Sequence, residues 1–297
     1  IETTSSRGKK HTLETFYTCT SRWSTVRPSS ILLASTTTAA SSSGGVRVGI
    51  AGAGAIAFAS AALLSQAGHD PMLWSPSGSG TCYLMPCDSS EECSVLASTG
   101  AVDWSFIPRV ATSAQQLVQE NDVLFIALPA NGHKKVFEEM AQFVREGQQI
   151  IISSHASLGA LYLAQLLRER LGDEFHVPIT AWGTTVCTAR RPSGNEVRVN
   201  TVRQSVDLCT IPQEHSQESL KLCQTLFSQV QTFRPRDGLL AISLSNLNPQ
   251  NHLGIALGNI SRMEKGETWY QSLNITPTIG RLLETLDKER LAIAEAL

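Results

Sequence analysis

The 297-residue chain lacks several features that would place it in a class at once. Its longest apolar stretch, VGIAGAGAIAFASAALL, contains glycines, so no unbroken run of about 20 apolar residues predicts a transmembrane helix. Its net charge is only −2 and charged residues make up 17% of the chain, which does not indicate a nucleic-acid partner. With 42% apolar residues, the composition predicts a soluble globular protein with a large core.

The seven cysteines do not form a recognisable framework for disulfides or for a metal. Their number is odd, and they are scattered apart from a cluster at Cys82, Cys87 and Cys93. That cluster has neither a CxxC pair nor a neighbouring histidine, which zinc sites usually provide. We therefore expect reduced thiols in an intracellular protein and no metal site.

The first 45 residues differ in composition from the rest of the chain. They are rich in serine and threonine, poor in acidic residues, and carry several Arg and Lys side chains. This composition resembles an organellar transit peptide. A disordered extension or a mistranslated upstream stretch are the alternatives. The expected location is cytoplasmic, or organellar if residues 1–45 are a genuine transit peptide.

From Val46 onward, short apolar runs alternate with helical stretches. The runs VRVGIAG, PMLWS, DVLFIALP, QQIIISS and VPITAW predict buried strands. Their alternation with helices predicts an α/β fold, a Rossmann-type doubly wound parallel sheet covered on both faces. Two further β-rich runs, Glu196–Val202 and Ser205–Ile211, predict an antiparallel hairpin added to the edge of this sheet.

The pattern becomes helical after Gly238, with helices predicted at Pro249–Glu264 and Ile279–Leu297. We therefore divide the chain into three parts. These are a leader at residues 1–45, a dinucleotide-binding domain at residues 46–235, and a smaller, incomplete all-helical domain at residues 236–297 that would contribute to catalysis and substrate binding.

A glycine-rich loop, GAGAIA, lies between the first predicted strand and the helix after it. In this GxGxxA pattern Gly52 permits a tight turn, Gly54 lets a pyrophosphate approach the backbone, and Ala57 allows close helix–strand packing. Amides at the helix N-terminus would face the phosphates. The loop predicts NADP or NAD binding, and a tight turn without a ligand is the alternative.

The end of the second strand bears on the choice between the two cofactors. An acidic residue there would bind the adenine ribose and mark NAD, but this sequence has Ser75, and Asp70 precedes the strand. The missing carboxylate favours NADP, although no Arg or Lys between Ser75 and Thr81 would attract the 2′-phosphate. In ALPAN, after a later strand, we expect Pro129 and Asn131 to lie along the nicotinamide half.

Hydride transfer to or from carbon needs a group that gives or takes a proton, a role that suits histidine near neutral pH. His252 lies at the start of a predicted helix that Asn248 can cap and that Pro249 fits at its first position. A packed or solvent-facing histidine is the alternative. His133, at a helix start after Asn131, and His155, at the C-terminal end of a strand, are further candidates.

The combination of VGIAGAGAIA, LWSPSG, ALPANGHK, ISSHASLGALYL, AWGTTV and NLNPQNH resembles the opine dehydrogenase family of the octopine/nopaline type. The resemblance implies NAD(P)H-dependent reductive condensation of an amino acid with a 2-oxo acid such as pyruvate. It implies His252 as the catalytic proton donor and acceptor. It also places substrate-binding residues at Thr184 or Thr185, and Asn248 is a further candidate.

The sequence departs from the family at its end. The family's carboxylate partner of the histidine and a substrate-binding arginine would fall beyond Leu297, so the chain looks C-terminally truncated, and Asp287 precedes the expected position. Arg190, Arg191 and Arg262 are candidates for binding substrate carboxylates, or solvated surface residues. Two other functions stay open, a 2- or 3-hydroxyacid reductase of ketopantoate type and an inactive NAD(P)-binding module.

Overall fold

A computed structural model describes residues 44–85, 94–154 and 158–296. The predicted leader, apart from its last two residues, lies outside the described residues, and so do Cys87, Cys93 and His155. The described chain forms one compact unit. Within it, no helix combines the length and the apolar character needed to cross a membrane.

Twelve strands and nine α-helices make up the described chain. The strands are β1 (Arg47–Ala51), β2 (Asp70–Trp74), β3 (Leu96–Gly100), β4 (Trp104–Phe106), β5 (Arg109–Val110), β6 (Val123–Ile126), β7 (Gln149–Ile152), β8 (Ile179–Trp182), β9 (Cys187–Arg190), β10 (Glu196–Val202), β11 (Ser205–Ile211) and β12 (Thr232–Pro235). The helices are α1 (Ala55–Gln66), α2 (Ala114–Gln119), α3 (His133–Met140), α4 (Gly159–Leu171), α5 (Ser216–Leu226), α6 (Gly238–Ser245), α7 (Asn248–Gly258), α8 (Ile260–Glu264) and α9 (Pro277–Glu295).

The main sheet has eight strands in the order β12-β11-β8-β7-β6-β1-β2-β5. The six strands from β8 to β5 in this order run parallel, and β11 joins β8 in the antiparallel direction. Successive residues of β6 point to different core clusters, Leu124 to one and Phe125 to the other. Helices therefore cover both faces, which confirms the predicted doubly wound sheet.

The predicted edge hairpin is wrong in its pairing, although both strands have the predicted bounds. β10 belongs to a second sheet of four strands, β4-β3-β10-β9, where it pairs antiparallel with β9, whereas β11 pairs with β8 in the main sheet. Burial explains the separation. Only alternate residues of β10 are buried, whereas consecutive residues of β11 are buried, as in a strand covered on both faces.

Helix α1 lies between the two sheets and contacts strands of both. All of its residues from Ala57 to Leu64 are buried. A helix that is covered on all sides must be apolar all round, and its alanines allow the sheets to approach closely. This position explains why the longest apolar stretch of the sequence lies here.

The chain after β12 is helical, as predicted, with two differences in the helix bounds. The helix predicted at Pro249–Glu264 is divided at Asn259, whose side-chain amide donates to the carbonyl oxygens of Ile255 and Asn274 and so competes with helical hydrogen bonds. The last helix begins at Pro277, because the hydroxyl of Thr276 accepts from the amide of Ile279 and caps it.

Candidate cofactor-binding site

The order of strands in the main sheet reverses between β1 and β6. The chain proceeds from β1 to β2 on one side, and from β6 through β7 to β8 on the other. In open parallel sheets, the loops that follow such neighbouring strands diverge and leave a crevice at their carboxyl ends, where ligands bind. The GAGAIA and ALPAN segments both follow strands at this point.

Gly52 forms the turn after β1 in a conformation that requires glycine. Its φ is +139°, and its amide donates to the carbonyl oxygen of Trp74 at 2.9 Å. A β-carbon at this position would lie 2.3 Å from the carbonyl oxygen of Ala127. The loops after β1, β2 and β6 therefore meet at Gly52.

Gly54 precedes α1 and leaves the helix N-terminus open. It has an extended conformation, no side chain caps the helix, and the first turn contains no acidic residue. A β-carbon on Gly54 would meet no atom of the described protein within 4 Å. Ala57 is fully buried, with its β-carbon 3.5 Å from the β-carbon position of Gly52. Open amides without a competing carboxylate suit an anion such as a pyrophosphate.

Ser75 follows β2, as predicted, and begins a loop that we call the serine loop, residues 75–80. Its hydroxyl accepts from the amide of Gly80 at 3.2 Å and lies 3.2 Å from the hydroxyl of Ser77, which lies 2.9 Å from that of Ser79. Asp70 is at the opposite end of β2, where it pairs with Arg109 at 2.9 Å. The serine loop itself contains no acidic residue, so within the described residues no carboxylate directly follows β2.

Pro129 and Asn131 lie on the loop after β6 and are exposed. The amide of Ala127 donates to the carbonyl oxygen of Ala51 at 2.9 Å, which holds the start of this loop against β1. The two residues are thus on the same edge of the sheet as Gly52, where the nicotinamide half was predicted. Their contact with a cofactor stays a prediction.

The surroundings of His133 indicate a structural role for its side chain. The side chain is buried, its Nε2–H donates to the carbonyl oxygen of Leu128 at 3.0 Å, and its ring packs against Phe137. Burial lowers the pKa of His133, and the hydrogen bond to Leu128 opposes this shift. The imidazole is a neutral donor that holds the loop after β6, rather than a group exposed for proton transfer.

Thr184 and Thr185 follow β8, at the same edge of the main sheet as the glycine loop. The hydroxyl of Thr185 donates to the carbonyl oxygen of Cys187 at 2.7 Å, whereas that of Thr184 makes no hydrogen bond within the described residues. Ile242 of α6 lies 3.7 Å from the β-carbon position of Gly183. The helical part of the chain therefore approaches the end of β8.

His252 and Asn248 are both exposed on α7. The predicted capping by Asn248 is wrong. Asn248 is the first residue of the helix, Leu247 is the N-cap, and the amide of Asn248 donates to the side-chain oxygen of Asn246 at 3.1 Å. His252 is the fifth residue of α7, one turn into the helix, and its ring forms no hydrogen bond with the described chain. Its catalytic role stays a prediction.

Asp287 is engaged within the helical part of the chain. Its carboxylate accepts from Arg290 at 2.8 Å and from the amide of Gln250 at 3.1 Å. The hydrogen bonds from Arg290 and Gln250 lower the pKa of Asp287. This carboxylate is therefore paired with a cation rather than with His252.

A cleft of about 820 Å³ lies between α4, α6 and α9. Its walls are mainly apolar and include Leu161, Leu240 and Leu244, with Arg236 and Arg290 among its few charged residues. None of the predicted site residues lines this cleft. The residue types around it do not point to a reaction.

Arg191 contacts both cofactor loops, a position that the sequence does not predict. It follows β9 in the small sheet, and its guanidinium donates to the carbonyl oxygens of Ala53 at 2.8 Å and Gly80 at 3.1 Å. It also donates to Gly194 and lies 4.3 Å from the centre of the Phe58 ring. No local signal reveals this contact, because 138 residues separate Arg191 from Ala53.

A doubly wound sheet with a glycine turn and an open helix N-terminus at its switch point defines a dinucleotide-binding fold. The residues present fit such a cofactor, since Gly54 leaves the space that a β-carbon would fill. In the described chain, no group of three or more His, Cys, Asp or Glu side chains is arranged to hold a metal ion.

Comparison with known proteins shows similarity to opine dehydrogenases. Residues 235–297 match the model of the NAD/NADP octopine/nopaline dehydrogenase α-helical domain. The chain is 32% identical over 180 residues to an opine dehydrogenase of Arthrobacter sp. (strain 1C), covering 60% of this chain and 49% of that protein. The chain is thus similar to opine dehydrogenases, and it spans about half the length of the curated relative that it matches.

Solved structures show the same fold. Octopine dehydrogenase in complex with NADH and agmatine superimposes with a TM-score of 0.56 at 19% identity, covering 72% of this chain and 54% of the other. Yersinopine dehydrogenase with bound NADP⁺ gives a TM-score of 0.61 at 17% identity, covering 72% and 53%. At these identities, the likeness establishes the fold alone.

The environment of His133 predicts a pH-dependent stability. The pKa of His133 is lower in the folded than in the unfolded chain, so its stabilising effect is complete above the unfolded pKa of about 6.5 and is lost as the pH falls through that value toward the folded pKa. We expect His133→Gln, which keeps a donor for Leu128, to lose less stability on acidification than the wild type.

Urea unfolding of both proteins, near neutral pH and about two units below, measures the difference. His176→Gln, which removes an exposed histidine, is the matched control and should follow the wild type. Equal losses in the wild type and in His133→Gln would contradict the assigned environment.

Proposed function

We propose that the chain is an NAD(P)-dependent oxidoreductase of opine dehydrogenase type. It would reductively condense an amino acid with a 2-oxo acid such as pyruvate, or oxidise the product in reverse. The observation that carries the proposal is the ligand-ready glycine turn at Gly52 and Gly54, on a fold whose continuation matches the octopine/nopaline dehydrogenase helical domain. Relatives solved with NADH, arginine, pyruvate or NADP⁺ support these substrate and cofactor classes.

The cofactor would supply or accept the hydride. Gly52, Gly54 and Ala57 would hold its pyrophosphate against the amides of α1, and Ser75 would receive the adenine ribose. Pro129 and Asn131 would lie along the nicotinamide half. The lack of an acidic residue in the described serine loop supports NADP over NAD, because a carboxylate there would repel a 2′-phosphate.

His252 would give a proton to the reduced substrate or take one from it. Its position near the start of α7 gives it a defined backbone, and its exposure leaves the ring available to a substrate. The helix dipole acts mainly in the first turn, so it affects the fifth residue only weakly. Thr184, Thr185 and Asn248 would contact the amino acid or the oxo acid, and the hydroxyl of Thr184 is available for this role.

The proposed organisation has three parts, a leader at residues 1–45, a dinucleotide-binding domain at residues 46–235 and a helical domain at residues 236–297. The match of residues 235–297 to a helical-domain model supports the second boundary. The proposed location is cytoplasmic, or organellar if the leader directs import. The serine- and threonine-rich composition of the leader supports import.

The direct test is oxidation of NADPH and NADH by the purified chain, followed by absorbance, with pyruvate and a panel of amino acids. Oxidation that requires both an oxo acid and an amino acid would establish opine chemistry. Oxidation with the oxo acid alone would instead support the hydroxyacid reductase alternative. Cofactor binding without turnover of any pair would support an NAD(P)-binding module.

The exposure of His252 predicts a clean separation of catalysis from cofactor binding. His252→Gln should lower kcat by about 10²-fold or more, the usual effect of removing a positioned acid–base group, and leave the Kd for NADPH nearly unchanged. His176→Gln should keep wild-type turnover. A large loss of NADPH affinity in His252→Gln, or unchanged kcat, would contradict the assigned role.

Gly52 and Gly54 have different surroundings, so replacing each with alanine should have different effects. Gly54→Ala should keep the wild-type melting temperature, because its β-carbon meets no described protein atom, and should weaken NADPH binding by about tenfold or more through a clash with the pyrophosphate. Gly52→Ala should lower the melting temperature, because its β-carbon would clash with Ala127.

Thermal unfolding and NADPH fluorescence titration of both variants measure these effects. Gly147→Ala is the control for backbone strain without a cofactor contact, because Gly147 has a φ of +80° and open space around it. Unchanged NADPH affinity in Gly54→Ala would place the pyrophosphate elsewhere.

A further inference from the structure

The small sheet positions the side chain of Arg191 beside the loops that follow β1 and β2. β9 and β10 pack on α1, and the chain that leaves β9 passes directly into Arg191. The guanidinium of Arg191 donates to Ala53 in the glycine loop, to Gly80 in the serine loop and to Gly194 in its own turn. Arg191 therefore links the loop after β1 to the loop after β2.

The contacts of Arg191 need the geometry of a guanidinium. Its Nε, Nη1 and Nη2 atoms all donate to carbonyl oxygens, in three directions, while its flat face lies over the Phe58 ring at 4.3 Å. A lysine has a single donor atom and no planar face, so it cannot make this set of contacts. Arg191 is thus a brace between the two loops, and among the described residues no other side chain donates hydrogen bonds to both.

The charge of Arg191 is not neutralised within the described chain. Its partners are carbonyl oxygens, and it takes part in none of the ion pairs within 4.0 Å that the described residues form. The side chain is half-buried, which weakens the screening of its charge by solvent. A positive potential therefore acts on the neighbouring serine loop.

The serine loop is shaped for a group that accepts hydrogen bonds. The hydroxyls of Ser75, Ser77 and Ser79 form a continuous chain, with neighbouring oxygens 3.2 and 2.9 Å apart. The loop packs on the glycine loop so closely that a β-carbon on Gly80 would lie 2.5 Å from that of Ala53. In a dinucleotide-binding fold, the residues that follow the second strand face the 2′-position of the adenine ribose.

We propose that Arg191 and the serine loop together form a subsite for the 2′-phosphate of NADP, in which Arg191 determines the preference for NADP over NAD. This inference rests on the proposed function. Arg191 holds the serine loop against the glycine loop and supplies the positive charge, while the chain of three serine hydroxyls has one proton free to donate to a phosphate oxygen. Binding of the dianionic phosphate depends on this charge, whereas binding of NAD, with a neutral hydroxyl there, does not.

Direct binding of NADPH and NADH to the full chain, by fluorescence titration, tests the inference without turnover. The wild type should bind NADPH more tightly than NADH. Arg191→Gln should raise the Kd for NADPH by about tenfold or more and that for NADH by less than about threefold, because only NADPH places a second negative group near the lost positive charge. Arg198→Gln, an exposed arginine on β10, is the matched control and should change neither value.

A second variant tests the phosphate subsite without changing Arg191. Ser77→Asp adds a carboxylate at an exposed position of the serine loop, and it should weaken NADPH but not NADH. Raised salt should weaken NADPH binding more in the wild type than in Arg191→Gln.

Three results would overturn the inference. The first is a wild type that prefers NADH, and the second is an Arg191→Gln variant that loses both cofactors equally with a lower melting temperature, as a purely structural brace would. The third is an unchanged NADPH affinity in Ser77→Asp. If the wild type binds neither cofactor, the proposed function itself fails. If both cofactors bind but Arg191→Gln leaves the ratio of their Kd values unchanged, the proposed function stands and this inference does not.

Discussion

The backbone at Gly52 and the carbonyl oxygen of Ala127 are so close that no β-carbon fits between them. This contact joins the ends of β1 and β6 where the order of strands reverses, and Trp74 at the end of β2 binds the amide of the same glycine. Three loops from three strands therefore converge on one residue without a side chain. The open N-terminus of α1, the serine loop and the loop held by His133 all take their positions from this convergence.

Much of the fold could be predicted because its signals are local. Apolar runs and glycine turns mark the strands, and the bounds predicted for β10 and β11 match the structure. Their pairing could not be predicted, because it depends on which strands α1 covers. Likewise, Asn248 has the residue type of a cap, but it lies inside the helix and its own amide donates to Asn246. Spacing predicts that a helix begins here, but not which residue is its N-cap.

The candidate site likewise has one part that the local sequence predicts and another that depends on long-range packing. The GxGxxA loop is contiguous, so the sequence alone predicted both the turn at Gly52 and the space at Gly54. Arg191 and Ala53 are brought together only by the packing of a second sheet. The residues between Ser75 and Thr81 include no Arg or Lys, so the local sequence does not reveal that Arg191 contacts this loop at Gly80. The roles of His252, Asn248, Thr184 and Thr185 depend on a bound substrate, so they stay predictions.

The two-residue connection between β10 and β11 links the sheets at a fixed distance. The amide of Arg203 donates to Val186 at 2.8 Å, and the carbonyl oxygen of Gln204 accepts from Thr232 at 3.0 Å, so both residues of the connection are bound to the main chain of neighbouring segments. The first bond extends the ladder between β9 and β10, and the second extends the ladder between β11 and β12, so no unpaired residue separates the two sheets here. Arg191, on the small sheet, is already held by its own hydrogen bonds to the glycine loop and the serine loop, so a ligand that binds there would need little ordering of this side chain.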